Sequence, residues 1–186
     1  MNIRHEFSSF TPMRHFLLLA GLAWVLPSRT QPAIAPGLLK YAAGALAGLI
    51  EGARQKAIAD GVRPIPTTVY RSLLGYFPAA LLQKCRFAAS GSRTLNLPAL
   101  SFSYGDPTAI ALGDVVLFRN DKVAEGDLKV WAHELTHVMQ YQRWGIEGFA
   151  DRYVCDTNVV EQEAIDNANR FAAWLPRRGL PSASHS

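Results

Sequence analysis

Between Pro36 and Gly61 the apolar positions Leu39, Ala42, Ala43, Leu46, Ile50, Ala53 and Ala57 recur at threes and fours. That spacing predicts a long amphipathic helix, with Pro36 near its start and Gly61 just past its end. Pro64 and Pro66 break the chain, and VYRSLLGYF and, after Pro78, AALLQKC read as two short helical pieces. The period then changes. Cys85 to Ala89, Leu100 to Tyr104 and Thr108 to Phe118 are short runs of β type, and Gly113-Asp114 inside the last makes it either a hairpin or one strand with a bulge. Helical periodicity returns at Leu128, with Asp127 as a cap and Gly145 as the stop, and Leu128, Trp131, Ala132, Leu135, Val138, Met139 and Gln142 on one broad face. A last helix is expected from about Asn158 to Trp174, closed by Pro176 and followed by a polar tail, residues 177–186.

The order of helices and short strands is that of an α+β domain over residues 36–176. Without the first 35 residues the chain still has enough length to bury roughly two-thirds of its unfolded surface, so the fold needs neither a metal nor disulfides to hold it together. A metal here would be functional. The first 35 residues read differently. Arg4 and Arg14 precede an apolar run from Phe16 to Leu26, and Ala33-Ile34-Ala35 is a small-residue site. Eleven residues make a helix of about 16 Å, too short for a bilayer core of about 30 Å but suited to a secretory signal. An exported protein, periplasmic or extracellular, is the expectation, and membrane association through residues 16–26 is the alternative.

Composition narrows the function classes. The chain is 49% hydrophobic with a net charge of +4, and residues 36–186 hold 16 basic against 14 acidic side chains, so no basic patch marks a nucleic-acid partner. Cys85 and Cys155 belong to no C-x-x-C pair, which excludes a zinc ribbon or a thioredoxin-type centre; they can form one disulfide in an oxidising compartment or remain two core thiols.

The chemistry is concentrated in His133-Glu134-Leu135-Thr136-His137, an H-E-x-x-H motif on the helix that opens at Leu128. Residues four apart share one helix face, so two imidazoles reach a single cation while the backbone stays rigid. Glu134 points about 100° away from His133 and is placed to act as general base toward water at the metal. By average composition the three fixed residues coincide in a chain of this length only about once in a few hundred. Zinc is the expected metal, and it needs a third ligand. The last helix opens with Asn158-Val-Val-Glu161-Gln-Glu163-Ala164. Glu161 is favoured because Glu161-Gln-Glu163-Ala164 resembles the E-x-x-A pattern of some metallopeptidases, whose first residue is the ligand. Glu163 is the alternative, because Glu163-Ala164 resembles the E-A ligand helix of thermolysin-like enzymes. A capping box between Asn158 and Glu161 competes with both.

The longer stretch WAHELTHVMQYQRWGIEGFADRY, followed by VVEQEA, resembles the HELTH-containing core domain of extracellular contractile injection system proteins, a gluzincin-like family. GVRPIPTTVYRSLLGYFPAALLQKCRF and AIALGDVVLF are similar to that family too, so the resemblance covers roughly residues 61–170. It implies a minimal zincin-like fold: a small sheet, an active-site helix and a downstream glutamate helix. It implies a metallopeptidase acting on a peptide or protein substrate, or a non-catalytic zinc-binding scaffold or delivery module of a secretion machinery. Beyond the motif, Tyr141 or Tyr153 can donate to a developing oxyanion, and Arg143 can meet a peptide carboxylate or neutralise the end of its own helix. Packing in the core is the plainer role for both tyrosines.

Overall fold

The computed structural model describes residues 36–89 and 108–178. Helix α1 (Pro36–Asp60) buries Ala43, Leu46, Ile50, Ala53 and Ala57, the stripe that the periodicity marks, and Gly61 ends it at φ 107°. A two-residue strand β1 (Arg63–Pro64) follows, then the short helices α2 (Thr67–Leu73) and α3 (Ala79–Lys84) and strand β2 (Arg86–Ala89). Strands β3 (Ala109–Leu112) and β4 (Val115–Phe118) form a hairpin around Gly113, whose φ of 66° suits the tight turn. The bulge alternative is therefore not taken.

The sheet is mixed, in the order β1-β2-β4-β3, with β2 parallel to β4 and the outer pairs antiparallel. β4 is buried at all four positions, as a central strand covered on both faces must be. β1 is an unexpected element: Pro64 lacks a donor, which an edge strand tolerates, so a breaker in the sequence becomes a strand end here. The architecture is α+β, a small sheet in a mostly helical chain.

A short helix α4 (Asp121–Gly126), capped by the Asn120 side chain, leads into α5 (Leu128–Cys155), whose first backbone amides are met by Asp127. Trp131 has no exposed surface; it donates from Nε1 to the Ala124 carbonyl at 2.7 Å and lies 4.6 Å from the Phe118 ring and 5.7 Å from the Phe87 ring. This cluster fixes the start of α5 on the sheet. Met139 is only partly buried and Gln142 is exposed, so the predicted core face ends near Val138. Instead, the helix is enclosed on nearly every side from 130 to 141, because α1, the sheet and the last helix all pack around it.

Gly145 does stop the first arm, with φ 72° and ψ 173°, but the chain immediately continues as a second helical arm over 146–155. The bend brings Phe149 and Tyr153 back over the first arm, where Phe149 stacks on Tyr141 at 4.0 Å and on Tyr153 at 5.4 Å. α6 (Thr157–Trp174) is capped by Asp156, which accepts from the Val159 amide at 3.2 Å, so the helix starts earlier than expected and Asn158 is not its cap. Ala164 and Ala168 are buried on α6, which packs against α5, and a 3₁₀ turn (Leu175–Arg177) follows that helix.

Cys85 has no exposed surface and Cys155 is exposed at the end of α5; both are free thiols, so the bridge between them is not formed. Burial and nearby Asp114 push the Cys85 thiol up to about 12. None of the described helices is long and apolar enough to cross a membrane. The expectations for residues 1–35, including the apolar run 16–26, for the strand Leu100 to Tyr104 and for most of the tail lie outside the described residues.

The Gly145 backbone lies in a region open essentially only to glycine, and a Cβ there would meet no atom within 4 Å. Gly145→Ala should therefore cost about 1–3 kcal/mol through backbone strain alone, read as a lower urea midpoint with an unchanged slope. A neutral result would mean that the kink relaxes into a regular helix without cost.

Candidate metal centre

His133 and His137 stand one turn apart on the first arm of α5, and Glu161 reaches them from the first turns of α6. The ring nitrogens His133 Nε2 and His137 Nε2 are 3.1 Å apart; Glu161 Oε2 is 3.4 Å from the first and Glu161 Oε1 3.6 Å from the second. Four-coordinate zinc with bonds of roughly 2.0–2.1 Å holds its ligand atoms about 3.3 Å apart, close to the separations between the two ring nitrogens and from each of them to its nearer Glu161 oxygen. His133, His137 and Glu161 together can hold a metal ion. Glu161 and His137 are buried, and His133, with 14% of its side chain exposed, is the side from which the group meets solvent.

Glu163 is placed elsewhere. Two residues on along a helix, its carboxylate turns away from the rings, accepting from Gln140 Nε2 at 3.0 Å and from Arg143 Nη1 at 3.2 Å. The capping role for Glu161 falls with the shift of the helix start to Asp156. Arg143 also lies 5.4 Å from the Trp144 ring centre, so it is tied to Glu163 and Trp144 on the flank of the site.

Glu134 is buried, and its Oε2 has no hydrogen-bond partner among the described residues. Burial raises its carboxyl pKa, partly offset by the two histidines and by a hydrogen bond from the Ala111 backbone. The same residue of β3 accepts from the Tyr141 hydroxyl at 3.3 Å. In a two-residue hairpin the closing pair Leu112 and Val115 bond each other, so the polar groups of Ala111 face outward, and α5 takes both of them. Tyr141 thus ties the sheet edge to the helix. Tyr153, carried back by the second arm, hydrogen-bonds Glu161. Burial raises both tyrosine hydroxyls, with the two carboxylates adding to it.

Nothing in the sequence motif singles out Gln140, although its spacing of three from His137 is that of a helix-face neighbour. It has no exposed surface, and its Oε1 lies 2.8 Å from His137 Nδ1.

Among known families, the eCIS core domain matches residues 102–145, a span that holds the hairpin, His133, Glu134, His137 and Gln140 and stops short of Glu161. No curated protein and no solved structure matches the chain.

Burial alone would keep the His137 imidazole neutral, but Glu161 beside it prevails and raises it to about 9. Burial alone would likewise raise Glu161, yet His137 and His133 bring it well below the usual carboxylate range. In the metal-free protein the two therefore form an ion pair. The histidine contribution is full below about 6.5, the unfolded value, and is lost as pH rises through 9; the glutamate contribution is full above about 4.5 and is lost as pH falls. Stability after chelator treatment should be greatest between about pH 4.5 and 6.5 and should decline toward pH 9.5. Metal affinity should climb over the same alkaline window, because the ligand must be neutral imidazole. Urea unfolding and competition titration at pH 5.5 and 9.5 would check both directions, and metal-free protein that is more stable at the higher pH would contradict the ion pair.

Proposed function

We propose that the chain is a zinc metallopeptidase of a minimal zincin-like, gluzincin type, hydrolysing peptide bonds in a peptide or protein substrate. The observation that carries this reading is a buried carboxylate, Glu134, whose Oε2 has no partner among the described residues, beside a His133, His137 and Glu161 group whose spacing suits zinc. A bound zinc ion supplies acidity to water and polarises a carbonyl. The protein supplies the rest. Glu134 takes the proton from water and passes it to the leaving amine, the general-base and then general-acid work of one carboxylate. The Ala111 amide orients one carboxylate oxygen and leaves Oε2 to receive the proton. Tyr153 holds Glu161 in place.

A substrate in extended form can pair with the edge of β3. Since α5 already uses the polar groups of Ala111, Ala109 is where the described part of that edge can accept a strand. The rival reading, a zinc-binding scaffold or delivery module, draws on the eCIS core match. It assigns no proton transfer to Glu134.

Glu134→Gln separates the two, because it keeps the shape and the ligands while removing the base. Zinc content should stay near wild type, and peptide cleavage should fall about 10²-fold to 10⁴-fold, or about 3–5 kcal/mol of barrier. Wild-type protein that holds zinc yet cleaves nothing in peptide libraries would favour the scaffold. Equal cleavage by wild type and the glutamine variant would refute the role given to Glu134.

A further inference from the structure

Gln140 is fully buried, and each of its polar atoms is committed. Nε2 lies 3.0 Å from the Val160 carbonyl oxygen and 3.0 Å from Glu163 Oε2. Both of those groups only accept, so the amide orientation is forced: nitrogen toward α6, oxygen toward His137. The oxygen, 2.8 Å from His137 Nδ1, can only accept, so His137 must carry a hydrogen on Nδ1. The lone pair of the neutral ring is then on Nε2, the atom that faces His133 and Glu161. The same amide binds the carbonyl of the residue immediately before Glu161, and Glu163 in turn is held by Arg143.

From this geometry we infer that Gln140 is the positioning residue of the metal centre: one side chain selects the metal-binding tautomer of His137 and sets α6 in the register that presents Glu161. The inference rests on the metal-binding reading above. A carboxylate or backbone carbonyl commonly takes the place behind a ligand histidine. Here a neutral amide stands between the histidine and the carboxylate of Glu163, so the negative charge is one bond chain further from the ring. No charge is added directly behind His137, and the amide still has two donors with which to grip the second helix.

The test uses the full chain and zinc alone. Gln140→Met keeps length and apolar volume but loses the acceptor and both donors; it should weaken zinc 10-fold to 100-fold in chelator competition. Glu163→Gln, which leaves an acceptor for Gln140, should cost less than Gln140→Met. Nitrogen-15 NMR of the zinc-loaded wild type gives a readout independent of any variant: His137 should bind through Nε2 and show a slowly exchanging Nδ1 hydrogen. Ligation through Nδ1 overturns the inference even where Gln140→Met does not fold. Zinc affinity unchanged in a folded Gln140→Met variant overturns it while leaving the metal reading intact, and wild type that binds no zinc overturns both.

Discussion

Bringing two carboxylates and two imidazoles together out of water is the constraint around which the rest of this structure is organised. Glu134 and Glu161 are both buried, and a buried carboxylate without a compensating positive charge would rather be protonated. Among the described residues of the metal-free chain a protonated histidine compensates, and it does so for Glu161, whose pKa falls, better than for Glu134, whose pKa rises. A divalent cation at the three Nε2 and carboxylate oxygen positions would meet both charges at once. The cost of holding such a group together without a cation is borne by packing: Trp131 against Phe87 and Phe118 at one end of the helix, and the Tyr141, Phe149 and Tyr153 stack at the other.

The same constraint explains the bend at Gly145. A straight continuation of α5 would carry Phe149 and Tyr153 away from the site. The left-handed turn brings the second arm back, so that Phe149 meets His137 edge-on at 5.9 Å and Tyr153 reaches Glu161. The glycine is thus both a helix stop and the hinge that gives Glu161 a hydroxyl partner. Sheet and helix are joined by a comparable economy: one strand residue, Ala111, offers its amide to Glu134 and its carbonyl to Tyr141.

Local patterns in the sequence revealed what local physics decides. Periodicity places α1 and the first arm of α5, Asp127 and Gly145 mark the ends of that arm, and the H-E-x-x-H spacing marks the histidine face. Three features needed tertiary contacts. The second arm follows a stop signal and contains Gly148, so nothing local argues for a helix there; ring stacking supplies the reason. Strand β1 exists because β2 is beside it, not because Arg63-Pro64 prefers to be extended. The choice between Glu161 and Glu163 depends on the rotation of α6 about its axis. Residues two apart on a helix point roughly 200° apart, so about half a turn of α6 separates a ligand from a flank, and the sequence does not encode which face meets α5 in any short pattern. The solvated histidine face that a free-standing amphipathic helix would have is likewise absent, since α6 and β3 cover it.

The cluster from His133 to Glu163 occupies a run of only thirty-one residues, built from two helices in direct succession with the β3 edge as one wall. A site assembled from such near neighbours in sequence pays little loop-closure entropy, and it does not require a large domain to orient it. The exposure at the group enters on the side of His133. The economy that builds the group from near neighbours in sequence also positions it: one amide, Gln140, reaches both His137 and the helix that carries Glu161.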